Sequence, residues 1–437
     1  MNIILLSGGS GTRLWPLSND IRSKQFIKIF KNDNNEYESM VQRVYRQIKS
    51  VDPQGTVTIA TSREQLSLIK NQLGSDVGVS IEPCRRDTFP AIVLASAYLA
   101  DVQGVNLDEP VVVCPVDPYV DDSYFAALSQ LSQQAAKGEA NLVLMGIEPT
   151  YPSKKYGYII PTSAETTSLV STFKEKPDVE TAQKYIDQGA LWNGGVFAYK
   201  LGYVLEKAHS MLDFDDYHDL FAQYVNLEKI SFDYAVVEKE AKIQVQRYSG
   251  QWKDVGTWNT LTESMDETIL GKGMMNEKCQ NVHILNDTGL PILAMGLHDV
   301  VISVSPDGIL VADKDDSGNI KPFVQKLEQR AMFAEKSWGS YRVLDVDDTS
   351  QTIKVELKAG KNMNYHNHKN RDEVWVVLSG QGRTLVDGME QNIHPGDVVT
   401  MEAGCRHTVF ADSELKMIEV QLGRGISVED KEKFELE

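Results

Sequence analysis

The chain has 437 residues, of which 42% are hydrophobic and 24% charged, and this ordinary mixture excludes a collagen-like or largely disordered protein. Its 62 acidic and 44 basic residues give a formal net charge of −18, which would repel nucleic acid unless basic residues formed a patch. No run of Lys and Arg suggests such a patch, and no apolar run approaches the ~20 residues of a membrane span. We therefore expect neither a nucleic-acid nor a membrane partner.

The cysteines have no CxxC spacing, and they are too sparse for a disulfide scaffold. They are Cys84, Cys114, Cys279 and Cys405. The apolar run Ile3–Leu6 is too short for the core of a signal peptide, and no Lys or Arg precedes it. These features favour reduced thiols and a cytoplasmic protein.

The first two-thirds of the chain alternate between short apolar runs and helix-like patterns. The predicted strands are Asn2–Leu6, Thr56–Ala60, Val111–Cys114, Leu142–Gly146 and Val196–Tyr199. The predicted helices include Met40–Ile48, Glu64–Gln72 and Ala91–Val102. This alternation predicts βαβ units and an α/β fold with a Rossmann-like, mostly parallel sheet. Ligands of such sheets bind beyond the carboxyl ends of the strands.

After about residue 270 the pattern changes to short strands broken by turn residues. Residues 271–333 predict a β-rich connecting region with a short helix at Ile320–Phe333. Residues 334–437 predict a separate all-β domain. Its predicted strands are Tyr341–Val346, Gln351–Leu357, Glu373–Leu378, Thr384–Val386, Asp397–Thr400, Thr408–Ala411 and Lys416–Gln421. Short strands at this density indicate a small barrel or a jelly roll.

A glycine-rich loop follows the first predicted strand, with the sequence Ser7-Gly8-Gly9-Ser10-Gly11-Thr12-Arg13. It matches neither GxGxxG nor the Walker A pattern. Glycines nevertheless allow backbone N–H groups to face one concavity that suits phosphate. Arg13 and Lys24 add cations for phosphate oxygens. The alternative is an ordinary glycine-rich turn between a strand and a helix.

The longer string through Leu14-Trp15-Pro16-Leu17-Ser18 and Lys24-Gln25-Phe26 resembles the signature of sugar-1-phosphate nucleotidyltransferases, in the form of the mannose-1-phosphate guanylyltransferase branch. Later segments match in the same order: Glu82-Pro83, Tyr156-Gly157-Tyr158-Ile159, Glu175-Lys176-Pro177, Trp192-Asn193-Gly194-Gly195, Asp233-Tyr234-Ala235 and Trp252-Lys253-Asp254-Val255-Gly256-Thr257-Trp258. The resemblance covers about residues 1–270, the expected nucleotidyltransferase domain. It implies an Mg²⁺-dependent enzyme that converts GTP and mannose 1-phosphate to GDP-mannose and pyrophosphate.

The resemblance also assigns roles to individual residues. It implies that Asp117 and Asp254 hold Mg²⁺, and that Arg13 and Lys24 are catalytic cations at the triphosphate. The expected nucleotide-binding residues are Ser7, Gly8, Gly9, Gly11, Thr12, Arg13, Glu82, Arg86, Asp87 and Thr88. The expected sugar-phosphate residues are Gly157, Glu175, Lys176 and Asn193.

Two positions depart from the family pattern. Pro118 follows Asp117 where the family often has His, which leaves the metal carboxylate in place. Arg85-Arg86-Asp87-Thr88-Phe89 stands where the family commonly has Gly-Arg-Asn-Thr-Ala. Asp87 lacks an amide donor, so the base stays open, although a carboxylate can accept hydrogen bonds from guanine. Another base or another hexose 1-phosphate is therefore an alternative.

A second group of potential ligands lies near the C-terminus. His366 and His368 point to the same face of a strand because the side-chain period is two. With Glu373 and His407 they could form a site of three nitrogens and one carboxylate for Zn²⁺, Fe²⁺ or Mn²⁺. The spacing, including Gly360, Gly380, Gly396 and Gly404, resembles the two motifs of cupins. The alternative is a cupin barrel that uses no metal.

The cupin follows the nucleotidyltransferase segment as in bifunctional enzymes, and it resembles a type II phosphomannose isomerase. Trp338-Gly339, Arg371, Glu373 and Trp375 fit that pattern. Val374 replaces a histidine of the familiar motif, and isomerisation needs a general base. Two readings of the cupin stay open: a bifunctional enzyme that also interconverts mannose 6-phosphate and fructose 6-phosphate, and a cupin kept for stability or assembly. For the whole protein, a non-enzymatic sugar-nucleotide or sugar-phosphate sensor on a nucleotidyltransferase-like scaffold is a further alternative, against which Arg13, Lys24, Asp117, Lys176 and Asp254 together argue. The oligomeric state is open, with a homodimer as one candidate.

Overall fold

The computed structural model describes residues 1–9, 11–19, 21–327, 331–427 and 430–435. It divides into two compact units. Unit 1 comprises Met1–Gly11 and Ser23–Asp266, and unit 2 comprises Thr12–Arg22 and Glu267–Glu437. Ser10 of the glycine loop lies outside the described residues. Within those residues, no helix combines the length and apolar character needed to cross a membrane.

Unit 1 is an α/β domain, as the sequence predicts. Its strands are β1 (Asn2–Leu6), β2 (Lys28–Lys31), β3 (Tyr37–Ser39), β4 (Thr56–Ser62), β5 (Gly78–Glu82), β6 (Pro110–Pro115), β7 (Pro118–Val120), β8 (Leu142–Ile147), β9 (Tyr158–Pro161), β10 (Thr167–Lys174), β11 (Leu191–Lys200), β12 (Ile243–Tyr248) and β13 (Trp252–Asp254). Its helices are α1 (Met40–Val51), α2 (Leu66–Leu73), α3 (Thr88–Ala97), α4 (Asp122–Lys137), α5 (Val179–Asp187), α6 (Leu201–His209), α7 (Tyr217–Gln223), α8 (Phe232–Ala235) and α9 (Trp258–Thr262).

The main sheet of unit 1 has the strand order β5-β4-β1-β6-β11-β8-β12-β10-β9. Neighbours within β5-β4-β1-β6 run parallel, and so do β8 and β12. In contrast, β11 runs antiparallel to both β6 and β8. β1 is almost entirely buried because it lies in the middle of the sheet. The strand order of the sheet reverses at β1, whose neighbours are β4 on one side and β6 on the other. A reversal of this kind leaves a crevice beyond the carboxyl end of β1.

Helix α3 is buried along most of its length. All residues from Phe89 to Ala97 are buried, so this helix lies inside the domain rather than on its surface. Asp87 begins the helix, because its side chain accepts a hydrogen bond from the backbone N–H of Thr88. The sequence predicts a helix over Ala91–Val102, and the structure begins it three residues earlier and continues it as a π-helical turn, Tyr98–Val102.

Unit 2 contains strands throughout. They are β14 (Ile269–Leu270), β15 (Gly273–Met275), β16 (His283–Asn286), β17 (Ile292–Ala294), β18 (Val300–Ser305), β19 (Gly308–Asp313), β20 (Phe333–Lys336), β21 (Gly339–Val346), β22 (Ser350–Leu357), β23 (His366–Asn367), β24 (Arg371–Ser379), β25 (Gly382–Val386), β26 (Met389–Ile393), β27 (Val398–Met401), β28 (His407–Ala411), β29 (Leu415–Gly423) and β30 (Glu432–Lys433). The short helix α10 spans Lys321–Val324.

The connecting region contains short parallel ladders, β14–β16–β18 and β15–β17, around a small apolar core. The segment Thr12–Arg22 belongs to this unit because its side chains contact these strands. Asn19 Nδ2 donates to Asp307 Oδ2 at 2.5 Å, and Arg22 Nη1 lies 2.6 Å from Asp287 Oδ2. The predicted boundaries at residues 270 and 333 stay predictions.

The predicted helix Ile320–Phe333 is wrong in its extent. The structure has a helix only at Lys321–Val324, and Phe333 begins strand β20 instead. Residues 328–330 lie outside the described part. Pro322 suits a helix start because it needs no N–H partner there, but Phe333 pairs with Arg342 of β21. Sheet pairing therefore overrides the local helical pattern.

The C-terminal part of unit 2 has the predicted all-β fold. One sheet has the order β20-β21-β22-β29-β24-β27, and a second has the order β26-β25-β28-β23-β30. Burial alternates along β22 and β29, so each strand turns one face to the core. Trp375, Val409 and Met417 lie in that core. Two such sheets around one core are typical of a jelly roll, which is the cupin architecture predicted above.

Candidate active site and metal centre

The glycine loop leaves β1 in a defined conformation. The Ser7 N–H donates to Ala60 O at 2.9 Å, and Gln25 Nε2 donates to Ser7 O at 3.1 Å. Gly9 adopts φ +98°, which favours glycine, and side-chain atoms added at Gly8 or Gly9 would meet nothing within 4 Å. The loop is thus fixed at Ser7 and open at the glycines, so a ligand can approach its backbone.

Lys24 and Asp117 meet just beyond the end of β6, and Asp254 lies on a strand paired with the residues that follow Asp117. Lys24 Nζ lies 2.8 Å from Asp117 Oδ2, and Asp117 is partly buried. Strand β13 pairs with β7, and Asp254 lies opposite Pro118. Because Pro118 follows Asp117 directly, the backbone of Asp254 is near that of Asp117 although the two are far apart in the chain. Burial opposes ionisation of Asp117, but Lys24 outweighs it and holds the Asp117 pKa below its usual value. Two carboxylates of this kind fit Mg²⁺, which prefers oxygen ligands.

Aromatic rings lie near these carboxylates. The sequence alone predicted no role for these rings. The Tyr156 ring lies 4.9 Å from Trp192 and 5.6 Å from Trp252, measured between centroids. Burial, and then the charge of Asp254, raises the pKa of the Tyr156 hydroxyl. Trp252 Nε1 is buried without a hydrogen-bond partner. Tyr156, Trp192 and Trp252 occur in the motifs quoted above, which was the available signal.

The expected sugar-phosphate residues come together in the structure. Lys176 Nζ lies 2.7 Å from Glu175 Oε1, with Lys176 54% exposed and Glu175 only 5%. The Asn193 N–H donates to Gly157 O at 2.8 Å. A Cβ at Gly157 would overlap Glu175 Oε2, a buried oxygen without a hydrogen-bond partner. The absence of a side chain at Gly157 therefore leaves room for Glu175 Oε2 beside the Gly157 backbone.

The segment expected to bind the base is engaged with the protein itself. Glu82 Oε2 accepts from Tyr224 Oη at 2.9 Å, and burial raises the Glu82 pKa. Arg86 Nη2 donates to Val225 O. Asp87 adopts φ +68° and begins α3, while Thr88 Oγ1 accepts from the Phe232 N–H at 2.8 Å. These contacts shape the segment, and nucleotide binding by Glu82, Arg86, Asp87 and Thr88 stays a prediction.

Thr12 and Arg13 lie in a 3₁₀ turn, Thr12–Leu14, which the structure groups with unit 2. The Arg13 side chain is exposed. In unit 1 the structure pairs Lys24 with Asp117 and places Asp254 opposite Pro118. It also brings Glu175 to Lys176, and Asn193 to Gly157. The contribution of Arg13 stays a prediction.

The cupin histidines form the group that the sequence predicts. The potential ligand atoms of His366, His368 and His407 lie within 4.8 Å of one another, and all three residues are buried. His366 and His407 are paired across β23 and β28. The Nδ1 atoms of His366 and His407 lie 2.6 Å from Asn364 O and 3.0 Å from Cys405 O, and His368 Nδ1 contacts Asp430 O. These carbonyls favour the proton on Nδ1, so that Nε2 presents a lone pair suited to a metal. At His368 this Nε2 lies 3.0 Å from Arg371 Nη2, a donor that a metal would displace.

Burial favours the neutral imidazole at His366 and His368, the form that binds metal. It lowers the pKa of His366 to about 2 and that of His368 to about 4. The Glu373 carboxylate contacts two of the histidines. Its Oε1 lies 3.2 Å from His368 Nε2, and its Oε2 lies 3.3 Å from His407 Nε2. Arg371 Nε also donates to Glu373 at 2.9 Å. The three histidines thus fit a transition metal, and Glu373 as a fourth ligand stays a prediction.

A cavity of about 740 Å³ opens beside this centre within unit 2. His366, His368 and Arg371 line one part of it. Lys336, Lys431 and Lys433 line another part, and the remaining wall is largely apolar, with Glu419 as an acidic member. This arrangement of cations beside buried imidazoles suits a small anionic ligand.

Comparisons with known proteins agree with both units. Residues 2–269 match the family model described as nucleotidyl transferase, and residues 325–436 match the one described as mannose-6-phosphate isomerase C-terminal. The mannose-1-phosphate guanylyltransferase of Escherichia coli is 28% identical over 99% of this chain and 97% of its own. The alginate biosynthesis protein AlgA of Pseudomonas aeruginosa is 27% identical over 99% of this chain and 96% of its own.

A solved structure from Thermus thermophilus, titled mannose-1-phosphate geranyltransferase, is 28% identical. It covers 75% of this chain and 98% of its own, with a TM-score of 0.62. Together with the match over more than half of the chain, this similarity settles the family. The chain belongs to the nucleotidyl transferase family and carries a C-terminal domain of the mannose-6-phosphate isomerase type.

Proposed function

We propose that this protein transfers the guanylyl group of GTP to mannose 1-phosphate, giving GDP-mannose and pyrophosphate. The observation that carries the proposal is the ion pair of Lys24 with Asp117 beyond β6, with Asp254 opposite Pro118 on the paired strand. Strand β6 is the neighbour in the sheet of β1, which bears the glycine loop. The full-length similarity to mannose-1-phosphate guanylyltransferases supports the choice of substrates. The similarity to AlgA supports a place in polysaccharide biosynthesis. The free cysteines favour a cytoplasmic location.

The reaction joins two anions, so positioning and charge neutralisation dominate it. A phosphate oxygen of mannose 1-phosphate attacks the α-phosphorus of GTP, and the bond to the β-phosphate breaks. Lys24 and the backbone of the glycine loop hold the triphosphate, and Lys176 holds the sugar phosphate. Glu175 and Asn193 bind sugar hydroxyls. Asp117 and Asp254 would hold Mg²⁺, which neutralises phosphate charge when bound.

The test is the release of pyrophosphate from mannose 1-phosphate with Mg²⁺ and one nucleotide at a time. We expect release with GTP and much slower release with ATP, UTP, CTP and dTTP. Release with a different base would move the product to another sugar nucleotide. Silence with all five nucleotides, while mannose 1-phosphate still binds, would favour a sensor instead.

Replacement of Gly157 by alanine should impair sugar-phosphate binding. The new Cβ would overlap Glu175 Oε2 and press on Phe173, 3.0 Å away. Overpacking of this kind costs about 1–3 kcal/mol. If Glu175 is displaced by a comparable amount, the KM for mannose 1-phosphate should rise roughly 5- to 150-fold. The KM for GTP should stay within about twofold. Gly289→Ala is the matched control, because its Cβ would meet nothing within 4 Å.

A second candidate activity is the isomerisation of mannose 6-phosphate and fructose 6-phosphate in the cupin. The cationic cavity beside the three histidines favours it, since it could take a phosphorylated sugar. A Zn²⁺ or similar ion held by His366, His368 and His407 would polarise the sugar carbonyl when bound. Conversion of fructose 6-phosphate to mannose 6-phosphate by the purified protein tests this activity. Its absence in metal-loaded protein would favour a cupin kept for stability or assembly.

A further inference from the structure

Asp233 is directly bonded to a residue of the sugar-phosphate group, although no role was assigned to it above. Asn193 Nδ2 donates to Asp233 Oδ1 at 2.6 Å. The other end of the same amide is also fixed, because Asn193 Oδ1 accepts from the Gly195 N–H at 3.0 Å. An amide has two N–H donors and two acceptor lone pairs. One donor and one lone pair therefore stay available to a ligand, in an orientation that cannot flip.

The segment that carries Asp233 is firmly held. Asp233 lies in α8, whose first N–H, that of Phe232, donates to Thr88 Oγ1 at 2.8 Å. The Phe232 ring is fully buried and lies 4.7 Å from the Phe197 ring between centroids. Phe197 and Asn193 both belong to β11. The helix and the strand are thus packed together, which fixes the distance between Asp233 and Asn193.

Charged groups face Asp233 from the segment after β10. They are Glu175 and Lys176, while β11 contributes only the neutral amide of Asn193, and Tyr234 follows on α8 itself. Burial, and then the charge of Glu175, raises the pKa of Asp233 to about 6. The Lys176 ammonium is paired with Glu175 at 2.7 Å and also lies within the electrostatic reach of Asp233. An incoming phosphate must compete with Glu175 for that ammonium, and the charge of Asp233 repels it.

We propose that Asp233 is a positioning residue for mannose 1-phosphate, because it fixes the Asn193 amide and adds a negative charge beside Lys176. This inference rests on the proposed function. The hydrogen bond from Asn193 survives protonation of Asp233, whereas the negative charge does not. Because the charge is present above about pH 6 and absent below it, sugar-phosphate binding should strengthen as the pH falls through that range.

The test compares Asp233→Ala with Asp233→Asn, which keeps an acceptor oxygen but removes the charge. We expect Asp233→Ala to raise the KM for mannose 1-phosphate at least about fivefold, because the Asn193 amide loses the acceptor that orients it. The KM for GTP should stay within about twofold. Asp233→Asn should keep the KM within about threefold at pH 8. Asp215→Ala, an exposed position of unit 1, is the control.

The pH profile separates positioning from mere stability. The KM of wild type for mannose 1-phosphate, divided by that of Asp233→Asn, should fall as the pH is lowered from 8 to 5, because wild type then loses the charge of Asp233. The second ionisation of the sugar phosphate cancels in this ratio, since it affects both proteins alike. Calorimetric titration with mannose 1-phosphate repeats the comparison without turnover. The inference is overturned if wild type binds mannose 1-phosphate and Asp233→Ala binds it equally well, or if Asp233→Asn is as impaired as Asp233→Ala. A wild-type protein that neither binds mannose 1-phosphate nor releases pyrophosphate would instead overturn the proposed function, and this inference with it.

Discussion

Asp117→Asn should nearly abolish pyrophosphate release. The substitution removes the carboxylate that lies 2.8 Å from Lys24 Nζ and next to Asp254. Losing one group that stabilises transition-state charge commonly costs about 100- to 1,000-fold in kcat, and we expect at least that loss here. Asparagine has nearly the same size as aspartate, so the fold and the affinity for mannose 1-phosphate should largely persist. Steady-state kinetics and calorimetric titration measure the two quantities separately.

The matched control for this variant is Asp108→Asn. Asp108 is exposed and precedes β6, whereas Asp117 follows the same strand, so the two lie at opposite ends of it. We expect Asp108→Asn to keep wild-type kinetics. Unchanged turnover in Asp117→Asn would contradict the assignment of Asp117 as a metal ligand, and it would leave Asp254 as the remaining carboxylate to test.

His366→Ala should remove the metal from the cupin and end any isomerase activity. The three Nε2 atoms are held inward by the backbone carbonyls that face each Nδ1. Loss of a group that hydrogen-bonds to a ligand histidine commonly costs about 10- to 100-fold in metal affinity. Loss of the ligand histidine itself should therefore cost at least about 100-fold. Metal analysis of the purified protein gives the stoichiometry. Turnover of fructose 6-phosphate gives the activity.

His394→Ala is the control for the cupin variant, because the His394 side chain is 61% exposed and lies outside the histidine group. It should retain the metal. The transferase activity should be unaffected in both variants, because its proposed residues Lys24, Asp117 and Asp254 belong to unit 1. A fully metal-loaded His366→Ala protein would exclude His366 as a ligand.

Much of the fold is predictable because short-range patterns determine it. The strands Asn2–Leu6 and Thr56–Ala60 stand out as apolar runs, and the structure has strands at both places. The spacing of His366 and His368 places both on one face, and the structure brings them to His407. Such predictions need only apolar residues that recur with the period of a strand or of a helix, and glycines that separate these runs.

Local pattern failed where distant pairing decided the structure. Residues 320–333 have a helical pattern, but Phe333 pairs in a sheet with Arg342. The string Thr12–Arg22 continues the glycine loop in sequence, yet its contacts lie with residues such as Asp287 and Asp307 of unit 2. A sequence pattern reports the preference of neighbouring residues only, whereas burial and pairing with remote segments can outweigh it.

The sequence by itself determined the order of domains, the fold class and the motif residues from which the enzyme family is recognised. Only the tertiary structure decided which of those residues are neighbours. The pairing of β7 with β13 brings Asp254 beside Asp117, and the packing of α8 on β11 brings Asp233 to Asn193. Hydrogen bonds and charge interactions act over a few ångströms. Residues far apart in the chain therefore acquire joint chemistry only when the fold closes that distance.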